Sequence, residues 1–63
     1  MSNLISEKRA KKGLTQRQLA EICKITYQSL QRYENGTVVP SVTIAITIAK
    51  ALETTVEDLF PSK

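Results

Sequence analysis

Apolar positions along this 63-residue chain come in short bursts at helical spacing, each bracketed by residues that start or stop helices. Asn3 can cap a first segment over 4–12, which Gly13 ends. Thr15 opens a second, with Gln18 three residues on at the spacing of a capping box, and Leu19, Ala20, Ile22 and Cys23 form its apolar side. Only Lys24 and Ile25 intervene before Thr26 can cap a third segment. Asn35-Gly36 stops that one with two residues that tolerate left-handed backbone. After the loop 37–40, Ser41 caps a fourth over 42–52, where Ala45, Ile48, Ala49 and Leu52 share one stripe. Thr55 and Asp58 mark a last turn or two, ended by Pro61. The run VTIAITIA within the fourth segment is β-branched enough for a strand. No second strand-like run exists to pair with it, so it reads as helix.

Five short helices with such brief connections cannot form a long parallel bundle. The expected fold is all-α: one compact domain over residues 1–63, its second and third helices crossing steeply. Leu14, Leu19, Ile25, Leu30, Ile48, Leu52, Val56 and Leu59 are the expected core. A chain of this size buries only roughly 60% of its unfolded surface, and with Cys23 as its one cysteine it has no internal disulfide to help. A single thiol and an N-terminus without a signal-like apolar run point to a reducing cytoplasm. No apolar stretch approaches the roughly 20 residues that span a bilayer, so no membrane partner is expected.

Enzyme chemistry is poorly supplied. The chain has no histidine, and Cys23 lies on an apolar stripe, where a cysteine is usually a small core residue. No Cys/His cluster has metal-ligand spacing, the two glycines form no phosphate-cradling loop, and no nucleophile, base and orienting group can be assembled. A non-enzyme without cofactor, metal or small-molecule substrate is expected.

Charge redirects attention to the first half. Residues 1–33 carry seven Lys/Arg against two Glu, whereas residues 34–63 carry two Lys against four acidic residues. The net charge is only +3, but a basic half joined to a mildly acidic one suits a polyanion on one side. The stretch ITYQSLQRYENG, residues 25–36, shows how that polyanion could be read. On a helix beginning after Thr26, Leu30 faces inward while Gln28 and Arg32 share the opposite face one turn apart, with Gln31 close by. Gln pairs bidentately with adenine and Arg with guanine in the major groove of DNA, which admits a helix. Tyr27 can meet a thymine methyl or a phosphate. Thr15, Gln16 and Arg17 open the preceding helix, where free amides and partial positive charge favour a phosphate. Asn35 and Gly36 can offer donors to another, Ser29 stands beside the reading positions, and Lys11, Lys12 and Lys24 add diffuse attraction. Contacts of this second kind position a protein on DNA, and Gln28, Gln31 and Arg32 would specify sequence. Two tyrosines without a sheet make no stacking platform for RNA.

The stretch GLTQRQLAEICKITYQSLQRYENG resembles the helix-turn-helix of phage repressor/Cro-like, XRE-type transcription regulators. The resemblance runs from Ile5 to Phe60. It includes Arg9 ahead of Gly13-Leu14-Thr15-Gln16, then Leu19-Ala20, Ile25-Thr26 and Arg32-Tyr33-Glu34-Asn35-Gly36. Pro40-Ser41 and Ile48-Ala49-Lys50-Ala51-Leu52 complete it. It implies the five-helix λ-repressor-like fold with the helix-turn-helix at about 15–34. It also implies a transcription regulator, of the repressor kind, that binds a palindromic double-stranded operator as a two-fold homodimer. Gln16 becomes a phosphate contact, Gln28 a base contact, and Arg9 and Glu34 a structural ion pair. The dimer contact must come from outside the helix-turn-helix, and Val38, Val39, Val56 and Phe60 are its candidates, on the edge that related repressors use.

The chain departs from the pattern at several positions. Lys24 stands at the turn where glycine is usual, and left-handed backbone there would cost a residue with a Cβ on the order of 1 kcal/mol. Lys8 replaces a usual leucine, and Ile22 and Ile44 replace usual polar residues. An apolar surface at Ile22 and Ile44 would favour the alternative reading, a helix-turn-helix module for protein contact of the antitoxin-like or complex-associated kind.

Overall fold

A computed structural model describes residues 3–61 of the chain. Five helices follow one another: α1 (Ile5–Lys11), α2 (Gln16–Cys23), α3 (Tyr27–Glu34), α4 (Val42–Ala51) and α5 (Val56–Leu59). No strand occurs among the described residues. The β-branched run is fully helical in α4, because its Ala45, Ile48 and Ala49 stripe is buried, and tertiary burial outweighs the modest helix propensity of β-branched residues.

Four of the five helices start on the caps that the sequence offers. The Thr15 hydroxyl accepts from Gln18 N–H at 3.0 Å while the Gln18 side chain accepts from Thr15 N–H at 2.8 Å, a complete capping box. Thr26, Ser41 and Thr55 accept in the same way from Ser29, Ile44 and Asp58. At α1 the N-cap position is Leu4, but Asn3 Oδ1 still takes the Ile5 N–H, and its Nδ2 donates to the Tyr33 carbonyl at 2.7 Å. One amide therefore caps α1 and ties its start to the end of α3.

Helices α1 to α4 all finish alike. A residue with φ between +56° and +80° (Gly13, Lys24, Gly36, Glu53) turns the chain, and the next N–H reaches back five residues to a helix carbonyl. A Cβ at Gly13 would meet nothing within 4 Å, so that glycine serves its backbone angle and not a close approach. Lys24 is left-handed, at φ 59°, ψ 41°, as the comparison with a usual glycine anticipates. Asn35 stays at φ −90°, ψ 2°, so only Gly36 of that pair crosses to positive φ.

The core is Ile5, Leu19, Ala20, Cys23, Leu30, Ile48, Ala49, Leu52 and Leu59, with Ala45 also buried. Helix α2 packs on both α3 and α4, α3 also meets α1, and α5 covers α4. Leu14, Ile25 and Val56, expected inside, are half-buried at the rim. They sit in or beside connections, and a domain this small has few fully enclosed positions. Ile22 is 52% exposed: α2 buries Leu19, Ala20 and Cys23, and Ile22 lies roughly 100° round the helix from that face. Ile44, by contrast, is half-buried and packs against the core.

Candidate nucleic-acid interface

Four groups lock the inner side of the helix-turn-helix. Arg9 Nε donates to Glu34 Oε2 at 2.7 Å, and Arg9 Nη1 donates to the Leu14 carbonyl at 2.8 Å. Gln16 Nε2 donates to Glu34 Oε1 at 2.8 Å, an atom that Arg9 Nη2 reaches at 3.4 Å. The Glu34 side chain is only 6% exposed and that of Arg9 17%, so the expected ion pair forms and is largely withdrawn from water. It joins α1, the α1–α2 connection, the first turn of α2 and the last turn of α3.

That network also defines what Gln16 can do. Its amide oxygen can only accept, and a phosphate has nothing to give it. One of its two side-chain N–H bonds is held by Glu34, so the other, with the backbone N–H groups of Gln16 and Arg17, is what remains for an anion. The N–H groups of Gln18 and Leu19 are taken by Thr15. The sequence suggests Gln16 for a phosphate contact; it does not show that Glu34 holds the Gln16 amide.

The outer side divides into free and engaged groups. Gln28 and Arg32 are exposed, and neither side chain has a hydrogen-bond partner among the described residues. Tyr27 and Gln31, expected beside them, are engaged with each other: Gln31 Nε2 donates to the Tyr27 hydroxyl at 3.1 Å. Arg17 lies over the Tyr27 ring, its guanidinium carbon 4.4 Å from the centroid. Ser29 Oγ accepts from Thr26 Oγ1 at 2.8 Å. Asn35 Oδ1 is taken by the Thr37 N–H and hydroxyl, and its Nδ2 has no hydrogen-bond partner among the described residues, while the Gly36 N–H donates to the Tyr33 carbonyl. Lys24 is exposed at the turn. Lys12 is not a free charge, because its Nζ is 2.6 Å from Glu53 Oε1, a pair that the sequence reading did not anticipate.

A helix-turn-helix family model matches residues 5–59, nearly all of the described chain. The chain belongs to the XRE-type helix-turn-helix family. It is 38% identical over 60 residues to YgzD of Bacillus subtilis, an uncharacterised HTH-type transcriptional regulator, covering 95% of this chain and 91% of that one. An uncharacterised HTH-type transcriptional regulator of Methanothermobacter thermautotrophicus is 43% identical over 61 residues, covering 95% and 88%. Among solved structures, the clp gene regulator ClgR from Corynebacterium glutamicum superposes with a TM-score of 0.80 at 31% identity. That match covers 86% of this chain and 57% of the ClgR chain, so this chain spans little more than half of it. The XRE-type domain seen here is accordingly a DNA-binding regulator.

Two more features bear on the site. Burial pushes the Cys23 thiol up, which keeps it neutral and disfavours a nucleophilic role. Away from α3, Val39, Pro40, Val42, Ala45, Val56 and Phe60 line an open apolar groove of about 320 Å³. Three of the four residues expected at a dimer contact border it. Val39 is 82% and Val42 76% exposed, the largest exposures among the big apolar residues.

Proposed function

We propose that the chain is a sequence-specific repressor that reads the major groove of a palindromic operator with α3 and binds it as a homodimer. The observation that carries this reading is the contrast across α3. Its inner side is fixed by Leu30 and the Arg9–Glu34–Gln16 network, while Gln28 and Arg32 stand free on the outer side. Bidentate groups held on a rigid element are what direct readout requires. Gln16, Arg17, Lys24, Ser29, Asn35 and Gly36 flank that face and set the docking position. Repression needs no further chemistry, since a bound dimer occludes the DNA beneath it.

Dimerisation follows from reach. Each chain presents one reading helix, α3, and half-sites roughly 34–36 Å apart need two, so a second copy supplies the second helix. The Val39–Phe60 groove is the contact surface, with Val38 beside it. A patch of this size buries less than the roughly 1,200 Å² of a stable interface, so the chain pairs weakly in solution and firmly on DNA. The protein-contact alternative is less favoured, because of the two isoleucines that would build its surface Ile44 is half-buried against the core and only Ile22 is largely exposed.

Site selection from random duplexes with the purified protein is the test. Gln28→Ala or Arg32→Ala then costs about 1–3 kcal/mol on the selected site and relaxes preference at one or two base pairs. Equal losses on selected and random DNA would remove both residues from readout. Sedimentation with a palindromic duplex checks the stoichiometry: one chain bound with full specificity would end the dimer reading.

A further inference from the structure

The Arg17–Tyr27–Gln31 cluster is not explained by packing, since Gln31 and Arg17 are exposed and neither contact closes the core. It joins the first turn of α2 to the first turn of α3 across the groove-facing side. Arg17 covers one face of the Tyr27 ring, and the phenol oxygen takes one of the two N–H bonds of the Gln31 amide. That leaves Gln31 with one N–H and its carbonyl oxygen. This donor–acceptor pair matches adenine, whose N7 accepts and whose N6 donates. A freely rotating glutamine presents two donors or a donor and an acceptor with equal ease. One that is tethered through its nitrogen presents the adenine set.

Resting on the DNA-reading function above, we infer that Tyr27 is a positioning residue. It acts through Gln31 and commits Gln31 to an A·T pair, while Arg17 keeps the phenol ring from swinging out. Gln28 and Arg32 have no such tether, so the cluster adds a separately fixed third reading position beside them. The gain comes from ordering one long side chain before DNA arrives. Ordering of that kind is worth about two- to tenfold in discrimination.

The experiment compares wild type, Tyr27→Phe, Gln31→Ala and the double variant. Each is measured on the selected duplex, on random duplex, and on single-base-pair variants of the selected duplex that include 7-deazaadenine. Tyr27→Phe keeps the ring and the stack with Arg17, so circular dichroism stays as in wild type and any loss on random DNA is smaller than the loss at the pair Gln31 reads. Discrimination falls about two- to tenfold at one A·T pair, the pair at which Gln31→Ala and 7-deazaadenine also act, and the double variant loses no more than Gln31→Ala alone. A Tyr27→Phe loss spread over all sequences would overturn the inference and make Tyr27 a phosphate contact. Relaxation at a different pair from Gln31→Ala, at a G·C pair, or at none overturns it too. A wild-type protein that selects no site defeats the DNA-reading function itself. A selected site that Gln28→Ala relaxes and Tyr27→Phe does not defeats this inference alone.

Discussion

Arg9 in α1 and Lys12 at its C-cap stand about one helical turn apart, and each holds a carboxylate at nearly the same distance, 2.7 Å to Glu34 and 2.6 Å to Glu53. Distance makes the pairs look equal, but their surroundings do not. The Glu34 side chain is 6% exposed and that of Glu53 76%. Glu34 also receives Gln16, and Arg9 also holds the Leu14 carbonyl, whereas the Lys12 and Glu53 side chains hold only each other among the described residues. An ion pair withdrawn from water and linked to other donors fixes geometry, because removing one member strands the rest. An exposed pair is replaced by water at little cost.

The largest effect should come from breaking the buried pair. Glu34→Gln or Arg9→Met leaves a charge in a desolvated place and costs about 3–5 kcal/mol, toward the lower end because Arg9 keeps some contact with water. That is a large part of the roughly 3–9 kcal/mol expected for a domain of this length. A denaturant midpoint no further shifted than for Lys11→Met would show that Arg9 and Glu34 do not hold the fold.

Removing both charges sharpens the point. The double variant Arg9→Met/Glu34→Leu should be more stable than either single variant, because no lone charge remains. It should nevertheless bind random and selected DNA about 0.5–1.5 kcal/mol more weakly, since Gln16 loses the carboxylate that aims it. Recovery of stability and DNA affinity together would mean that Gln16 needs no such support.

The two left-handed residues without glycine extend the comparison. Lys24→Gly relieves the strain of a Cβ at φ 59° and should raise stability by about 1 kcal/mol, less what the added chain freedom takes back. It should also lower the salt dependence of DNA binding by removing one positive charge at the turn. Unchanged or reduced thermal stability would show that Lys24 makes a compensating contact.

The smallest effect belongs to Lys12 and Glu53. A hydrogen bond from the Lys12 ammonium, together with its charge, holds the Glu53 carboxyl below its ordinary value of 4.5. With the folded value depressed, the pair's contribution is fully present above pH 4.5 and is lost as the pH falls through the lower folded value. Lys12→Met should flatten that acid-side slope in a melting-temperature profile and lower the neutral plateau only slightly, because Glu53 is solvent-exposed. A clear drop at neutral pH would put this pair in the same class as Arg9–Glu34.

Most of the fold was legible because its signals are local. Thr15, Thr26, Ser41 and Thr55 cap within three residues, Gly13 and Gly36 turn the chain with their own backbone, and the stripes of α2 and α4 follow from helical period. The apolar period grouped Ile22 with the buried side of α2, whereas the family pattern, polar at that position, marked it as surface. A period reports that a helix has an apolar side but not where its burial stops.

The outer face of α3 was legible too, because Gln28 and Arg32 have only to point away from Leu30. The resemblance supplied the Arg9–Glu34 pair; spacing alone did not. The sequence by itself therefore determined an all-α chain with a polar, fork-bearing helix joined to a basic half. Tertiary structure decided what depends on residues distant in the chain. It bound the Gln16 amide to Glu34, 18 positions away, drew Lys12 onto Glu53, and packed Ile44 partly against the core while leaving Ile22 exposed. Such contacts depend on how helices cross, and no local period records a crossing.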